Sequence, residues 1–268
     1  MQVDINGIDY HYQIDGPEGA PWLTFSHALA NNLTLWDTAT DALKDRYRIL
    51  RYDHPGHGQT PSVPGPYNFD MLIENAIGLF DALDISSSHW VGLSIGGMMG
   101  YGLAARHPDR LNSLVACDSR PDAPPEYANY FQHRIDVAQE SGMEGLVDLT
   151  IERWFTPETV SQNPPVLDKV RQMIRNTDPV GHAGCCEALK KLSFGSILGD
   201  IKVPTLIIGG EFDKGAPVEA MTAAAGQIPG AKHRTISKAG HITPLENPEE
   251  FQRVLEAFLN EVDTDRNK

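Results

Sequence analysis

The sequence has no long hydrophobic run, and it contains only three cysteines. No stretch reaches the roughly 18 consecutive apolar residues that indicate a membrane-spanning helix. Cys117 and the adjacent pair Cys185 and Cys186 offer no set of spaced partners for disulfide bonds. The N-terminal segment lacks the basic and apolar regions of a secretory signal peptide. These absences predict a soluble, reduced protein of the cytoplasm that has no membrane partner.

Positive charge is also scarce. The chain has 22 lysines and arginines against 36 aspartates and glutamates, a net charge of −14 with histidine neutral. This balance argues against nucleic acid as a partner, because the phosphate backbone would repel the protein. Metal-ligand clusters are missing as well, since Asp53, His54 and His57 stand in 'DHPGHG', which is typical of a tight turn after a strand. We therefore expect no metal ion and no cofactor.

What the sequence does contain is an alternation of short apolar runs and helical patterns. The first 16 residues predict a β-hairpin, and residues 68–84 carry the apolar spacing of an amphipathic helix. Strand and helix patterns then alternate as far as 'LNSLVACDS', residues 111–119. This order predicts an α/β fold with a mostly parallel sheet and helices on both faces.

The alternation stops at a proline-rich segment and resumes about 75 residues later. Only helical patterns lie in between, so we predict a helical insertion at residues 122–197. The core domain would then comprise residues 1–121 and 198–268. The charged tail 'DTDRNK', residues 263–268, is predicted to be frayed.

One serine occupies a special turn. Gly92, Ser94 and Gly96 match G-x-S-x-G where a predicted strand must turn directly into a helix. That is the setting of a nucleophile elbow, in which a strained backbone lifts the serine oxygen above the sheet. Small residues are needed there because strand and helix come into close contact. The alternative is a glycine-rich turn with a solvated serine.

A serine hydroxyl needs a base, and the base needs a carboxylate to hold it in one tautomer. His241 lies in a predicted loop after the last strand, and Asp213 follows the apolar strand 'TLIIGG'. We therefore predict Ser94, Asp213 and His241 as a catalytic triad. Two alternatives remain for the acid: Glu211, with Asp213 as a helix cap, and Asp118. His241 could also be purely structural.

An acyl-transfer site also needs donors for the oxyanion that forms in the transition state. The residue after the nucleophile, Ile95, offers its backbone N–H, and Leu29 in 'SHALANN' is the best-placed second donor. Each such donor is typically worth about 2.7 to 4 kcal/mol of transition-state stabilisation.

These motifs resemble the α/β-hydrolase superfamily over essentially the whole chain, and most of all its 3-oxoadipate enol-lactonase group with related esterases and perhydrolases. The matching segments are 'FSHALANNLTLWD' (25–37), 'RYDHPGHGQTP' (51–61), 'VGLSIGGMMG' (91–100), 'RWFTPE' (153–158), 'GHAGCCEAL' (181–189) and 'AGHITPLENPEEF' (239–251). The chain departs from the group's common pattern at Ala30, Pro55 and Ile95, where glycine, arginine and methionine are usual.

The resemblance implies an α/β-hydrolase fold with an eight-stranded sheet and an inserted helical cap that closes over the nucleophile. On the cap, we expect His133, Arg134, Arg153 and Trp154 to contact substrate. An arginine suits the carboxylate that a lactone acid carries. The alternative is a solvated cap face with Trp154 in the cap core. The net charge of −14 would slow an anionic substrate unless a local positive patch offsets it.

The sequence thus predicts a cofactor-independent serine hydrolase that cleaves a small carboxylic ester or lactone through an acyl-enzyme. Carbon–carbon bond hydrolysis and perhydrolysis are alternatives because the same triad supports them. A ligand receptor with little turnover is a third alternative from a different functional class. The expected partner is a small-molecule substrate, and a homo-oligomer is one option for the assembly.

Overall fold

The computed structural model describes residues 1–266. Within them, eight strands form one sheet in the order β1-β2-β4-β3-β5-β6-β7-β8. The strands are β1 (Gln2–Ile5), β2 (Ile8–Asp15), β3 (Trp22–Ser26), β4 (Arg48–Tyr52), β5 (Ser88–Leu93), β6 (Leu111–Cys117), β7 (Thr205–Gly210) and β8 (Lys232–Ile236). β2 is antiparallel to both neighbours, and the other pairs are parallel. The predicted mostly parallel sheet is confirmed.

The central strands are buried along their whole length and mostly apolar, because helices cover both faces of a parallel sheet. All residues of β5, β6 and β7 are buried. The helices are α1 (Asp37–Leu43), α2 (Phe69–Ala82), α3 (Ile95–Arg106), α4 (Tyr127–Ser141), α5 (Val147–Trp154), α6 (Pro157–Gln162), α7 (Pro165–Arg175), α8 (Pro179–Lys190), α9 (Val218–Gln227), α10 (Thr243–Glu246) and α11 (Pro248–Arg266). The helix predicted over residues 68–84 is present as α2, which begins after an Asn68 cap and ends at Ala82.

Large aromatic side chains fix the helix after the predicted elbow against the sheet. The indole N–H of Trp90, on β5, donates a 3.0 Å hydrogen bond to the carbonyl of Gly96 on α3. On the neighbouring strand, the ring of Phe25 stacks on Trp36 with centroids 4.6 Å apart. All three of these aromatic side chains are fully buried. The strand-to-helix turn therefore rests on a rigid part of the core.

The run of helices α4 to α8 lies between β6 and β7, and a bridge from Asp122 to Ser193 pairs the two ends of the insertion. Helix α6 has only six residues, which is too short for the spacing of apolar residues to reveal a helix. Its start is nevertheless visible in the sequence: Thr156 caps it by accepting from Thr159 N–H, and Pro157 takes the first position. The exact limits of the cap, 122 and 197, stay a prediction.

The prediction of a frayed tail is wrong for residues 263–266, which continue α11. Asp263 ties this end to the core, because it accepts a 2.5 Å hydrogen bond from the Tyr47 hydroxyl and lies 3.2 Å from His89 Nε2. Asn267 and Lys268 lie outside the described residues. No helix of the described chain is long and apolar enough to span a bilayer.

Candidate active site

Three polar residues end neighbouring strands at one edge of the sheet. Ser94 follows β5, Asp118 follows β6, and Asp213 comes three residues after β7. Carboxyl ends of parallel strands meet at one edge, where open α/β sheets bind their ligands. This topology brings Ser94 and Asp213, which are more than 100 positions apart in the chain, to the same edge.

Ser94 has the backbone of a strained elbow. Its φ of 54° and ψ of −115° fall in a region that non-glycine residues rarely adopt. Its N–H donates a 2.8 Å hydrogen bond to the carbonyl of Cys117 on the adjacent strand. A side chain on Gly96 would overlap Ser26, and one on Gly92 would overlap Gly96 itself. The close strand–helix contact expected at this turn is therefore present.

The three residues predicted as a triad form one hydrogen-bonded chain. Ser94 Oγ lies 2.9 Å from His241 Nε2. His241 Nδ1 lies 2.8 and 2.9 Å from the two carboxylate oxygens of Asp213. All three are nearly buried, with Ser94 8% exposed on the cavity side. This is the arrangement in which a histidine can take a proton from a serine while a carboxylate orients it.

The acid and the base are each held by backbone contacts. Asp213 Oδ1 accepts from the N–H groups of Gly215 and Ala216 at 2.6 and 3.1 Å. The backbone N–H of His241 donates a 2.7 Å hydrogen bond to the carbonyl of Trp154, at the end of α5. A helix of the insertion thus fixes the loop that carries the histidine.

The two rival acids have other partners. Glu211 is exposed, and its carboxylate accepts from the backbone N–H of Lys238. Asp118 is fully buried, but its oxygens accept from Gly210 and Thr243 rather than from the histidine ring. Helix α9 begins at Val218 after Pro217, so Asp213 does not cap it. The geometry thus favours Asp213 over both rivals.

A single peptide orients the Leu29 N–H, one of the two predicted oxyanion donors. The carbonyl of Ala28 accepts from His27 Nδ1–H at 2.7 Å and from Asn31 N–H at 3.2 Å. In a trans peptide the C=O and the following N–H point in opposite directions, so these bonds aim the Leu29 N–H away from His27. Within residues 1–266, this N–H has no backbone acceptor. Ile95, the other predicted donor, is the first residue of α3, where the helix dipole favours negative charge.

A small cavity lies above the nucleophile. Its volume is about 30 Å³, which leaves room for little more than ordered water. Its walls are Leu29, Ser94, Met98, Tyr127, Tyr130, Phe131, Arg134, Arg153, Trp154, Leu189, Gly215 and His241. Most of these side chains come from the insertion, so substrate entry requires cap side chains to move.

Arg134 is the unusual residue of this cavity because it is only 3% exposed and has no acidic partner. Its guanidinium reaches Thr150 Oγ1 at 3.1 Å, the Tyr130 hydroxyl at 3.3 Å and His182 Nε2 at 3.4 Å. Its Nε has no hydrogen-bond partner. Burial and the charge of Arg134 lower the pKa of His182 well below its usual range, so His182 is a neutral acceptor. None of the ion pairs in the described part of the chain includes Arg134.

The other predicted cap residues lie at different depths. Trp154 is buried in the cavity wall, with its ring 6.1 Å from that of His241. Arg153 is half-buried, and its guanidinium lies 4.3 Å from the Tyr130 ring centroid. His133 is exposed and lines a second, open cavity of about 330 Å³ that shares Tyr130, Arg134 and Arg153 with the first. The two cavities are therefore neighbours, separated by these shared side chains.

Several cavity residues were missed from the sequence. Tyr127, Tyr130 and Phe131 precede Arg134 on α4 by seven, four and three positions, which places all four on one helix face. That spacing could have identified them once Arg134 was proposed. Met98, four residues after the nucleophile, follows the same rule on α3.

The segment 'DHPGHG' forms the turn predicted for it, with His57 N–H donating to the carbonyl of His54. The carboxylate of Asp53 accepts hydrogen bonds from the His11 ring and from the backbone N–H groups of Leu33 and Gln59. Burial lowers the pKa of His54 to about 3 and that of His57 to about 4. In the described residues, no group of three or more His, Cys, Asp or Glu side chains is arranged to hold a metal ion.

Known proteins resemble this chain over nearly its full length. Residues 21–248 match the family model described as the alpha/beta hydrolase fold. 3-Oxoadipate enol-lactonase 2 of Acinetobacter baylyi is 32% identical over 94% of this chain and 93% of its own length. The crystal structure of the enol-lactonase from Burkholderia xenovorans is 34% identical, with a TM-score of 0.93 over 97% of this chain and all of that one. A malate-bound thermophilic esterase from Thermogutta terrifontis is 28% identical, with a TM-score of 0.89 over 98% of this chain and 99% of its own.

Proposed function

The chain belongs to the α/β hydrolase family, and from that premise we propose that it is a serine hydrolase of small esters or lactones that carry a carboxylate. The observation that carries the proposal is the unpaired, buried Arg134 on the same cavity as Ser94. The hydrogen-bonded chain of Ser94, His241 and Asp213 supports the acyl-transfer chemistry.

In the first half-reaction, Ser94 Oγ attacks the carbonyl carbon while His241 Nε2 accepts the hydroxyl proton. Asp213 holds the ring with Nδ1 protonated and stabilises the imidazolium that forms. The N–H groups of Leu29 and Ile95 donate to the oxyanion of the tetrahedral intermediate. His241 then returns its proton to the leaving oxygen as the carbon–oxygen bond breaks, which leaves an ester on Ser94.

In the second half-reaction, His241 takes a proton from water, and the resulting nucleophile attacks the acyl-enzyme. Collapse of the second intermediate releases the acid and returns the proton to Ser94. When the substrate is a lactone, the leaving alcohol stays attached to the acyl chain. The ring-opened product therefore departs only after this second step.

Arg134 supplies the reason for a carboxylate on the substrate. Burying a guanidinium costs free energy unless an anion and hydrogen bonds compensate for it. Thr150, Tyr130 and His182 are all neutral acceptors, so the positive charge remains uncompensated in the free protein. A substrate carboxylate would supply the missing charge, and arginine can bind it through two parallel hydrogen bonds.

The cavity also limits the size of the acyl group. Its walls include Tyr127, Phe131 and Trp154, which are buried and aromatic. A volume of about 30 Å³ fits no organic substrate until cap side chains move. Short acyl chains require the smallest movement, so we expect activity to fall as the chain lengthens. The enol-lactonase relatives support a small, carboxylated lactone as the substrate class.

The test compares matched substrates that differ only in a carboxylate. We would measure kcat/KM for 4-nitrophenyl butyrate against 4-nitrophenyl hemisuccinate, and for a five-membered lactone with and without a carboxymethyl group. A charge-assisted contact is worth about 1.5 to 3 kcal/mol, so Arg134→Gln should lower kcat/KM for the carboxylated substrates by about 10- to 100-fold. The uncharged substrates should change less than about threefold.

Arg175→Gln is the matched control, because Arg175 lies on cap helix α7 and pairs with Glu144 at the surface. It should leave all four substrates unaffected. A wild-type protein that prefers the uncharged ester, or an Arg134→Gln protein that loses both substrate types equally, would contradict the carboxylate assignment.

A further inference from the structure

We propose that Asp118 is a positioning residue that locks the loop carrying the acid to the loop carrying the base. The inference rests on the proposed triad, because it concerns how Asp213 and His241 are held in contact. Asp118 itself does not line the cavity, and its side chain is hydrogen-bonded to Gly210 and Thr243 rather than to Ser94.

Asp118 sits in a strained position at the end of β6. Its side chain is fully buried, and its φ of 47° is left-handed. Its backbone N–H donates a 2.7 Å hydrogen bond to the carbonyl of Ile208 on β7. Left-handed residues other than glycine are uncommon, and they persist where surrounding contacts over-determine them. The backbone therefore aims this carboxyl group inward, between the two neighbouring loops.

Each carboxylate oxygen holds the element next to one of these loops: Oδ1 contacts the end of β7, before the acid, and Oδ2 contacts the start of α10, after the base. Oδ1 accepts a 2.9 Å hydrogen bond from the N–H of Gly210, three residues before Asp213. Oδ2 accepts from the Thr243 hydroxyl at 2.7 Å and from its backbone N–H at 3.2 Å. Thr243 comes two residues after His241. One carboxylate thus connects the segment just before Asp213 to the segment just after His241.

The placement is energetically costly, which is why a functional role is the better explanation. Burial and the negative charge of Asp213 raise the pKa of Asp118 well above its usual range. An apolar or amide side chain would fill this site without that cost. Costly buried charges cluster at functional sites, where geometry matters more than stability. What Asp118 provides is two acceptor oxygens that together receive three hydrogen bonds, whereas an amide of the same size has only one acceptor oxygen.

The two loops also contact each other directly. The N–H of Phe212 donates a 2.9 Å hydrogen bond to the carbonyl of the buried Ala239. At the exposed rim, Glu211 accepts from the backbone N–H of Lys238, and both residues are exposed. A rim bond competes with water, so it restrains the loops less than a buried contact does. The hydrogen bonds of Asp118 are buried, so water does not compete with them. Their loss should therefore change the Asp213–His241 geometry more than loss of a rim contact.

Asp118→Asn is the informative substitution. Asparagine has the same shape and tolerates a left-handed backbone. Its carbonyl oxygen can still accept the hydrogen bond from one side, for example from Gly210 N–H. Its NH2 group then faces the N–H and hydroxyl donors of Thr243, whose hydrogen bonds it cannot accept. We expect kcat to fall by about 10- to 100-fold, because a misplacement of about 1 Å costs on that scale. KM and the preference for carboxylated substrates should change less than about threefold, since Arg134 is untouched.

A spectroscopic measurement separates positioning from simple stabilisation. The proton on His241 Nδ1, shared with Asp213, should give a far-downfield NMR resonance in the wild type. In Asp118→Asn it should shift or broaden at a temperature where the protein remains fully folded. A variant with a lower Tm but unchanged kcat and an unchanged resonance would overturn the proposal. Glu211→Gln, at the exposed rim, is the control and should alter neither.

Variants at Thr243 provide an independent route if Asp118→Asn does not fold. Thr243→Val removes only the hydroxyl, and we expect a loss of about 3- to 10-fold in kcat. Thr243→Ser should restore it, because serine keeps the donor to Asp118. Equal kcat for the valine and serine variants would overturn the proposal. Ser94→Ala, measured in parallel, separates failure of the proposed triad from failure of the Asp118 proposal. Retained hydrolysis in Ser94→Ala would refute the triad. The NMR resonance tests the role of Asp118 without any need for turnover.

Discussion

Two serine–histidine contacts lie near each other in this protein, and only one is built like a catalytic pair. Ser94 Oγ lies 2.9 Å from His241 Nε2, and Ser26 Oγ lies 3.1 Å from His54 Nε2. All four residues are buried. By distance alone the two pairs are equivalent.

The difference lies in what surrounds each pair. His241 has the carboxylate of Asp213 on its second nitrogen, whereas His54 has no acidic partner, and burial lowers its pKa to about 3. Ser26 is fully buried and also bonds to the Tyr52 hydroxyl. Ser94 instead faces a cavity and has a strained backbone. A nucleophile therefore needs an oriented base and an open face, and a short contact is not enough.

Removing each serine hydroxyl in turn should give the largest contrast. Ser94→Ala should lower kcat by about 10⁴-fold or more, because the nucleophile is lost. Ser26→Ala should lower kcat less than about threefold and reduce the free energy of unfolding by about 1 kcal/mol, the usual value of one neutral hydrogen bond. Steady-state hydrolysis and urea unfolding of both variants measure this. Comparable losses of activity in the two variants would remove the distinction.

Taking the carboxylate away should make the catalytic histidine resemble the structural one. Asp213→Asn should lower kcat by about 10⁴-fold near neutral pH, because an amide holds the wrong tautomer of His241. Glu211→Gln, two residues earlier, should keep full activity because Glu211 is exposed and its carboxylate accepts from the Lys238 N–H rather than from His241. A large loss in the glutamine variant with activity retained in the asparagine variant would assign the acid to Glu211 instead.

The structural histidines should appear in the stability of the fold rather than in its activity. Burial lowers the pKa of His54 to about 3 and of His57 to about 4, against about 6.5 in an unfolded chain. Between pH 6.5 and 5 the unfolded state therefore binds protons that the folded state does not. The free energy of unfolding should fall over this range by about 1.5 kcal/mol for each such histidine. Urea titrations at several pH values test this, and a flat profile above pH 5 would contradict it.

Much of the site could be predicted because its residues stand at positions that the topology fixes. Ser94 at a strand-to-helix turn, Asp213 after an apolar strand and His241 before the last helices must meet at one sheet edge. Leu29 was likewise predictable from its place in the loop after β3. These predictions needed only local patterns and the rule that parallel strands end together.

The remainder depends on contacts between distant segments, which local patterns do not record. The sequence predicts Arg134 on the cap but not that it lacks an acidic partner. It offers Asp118 as a rival acid, whereas the structure shows its oxygens bonded to the end of β7 and the start of α10. The predicted frayed end is held by Asp263 against Tyr47, more than 200 residues away. In each case the partner decides the role, and the partner is far away in the chain.

The most direct test of the account is covalent labelling with a fluorophosphonate, which reacts with an activated serine as an ester carbonyl does. The account predicts one equivalent of phosphonate on Ser94, located by mass spectrometry, with hydrolysis lost in proportion. His241→Asn should slow the labelling strongly, and Ser26→Ala should not change it. Label on a different serine, or full hydrolytic activity after Ser94 is completely labelled, would contradict the central claim.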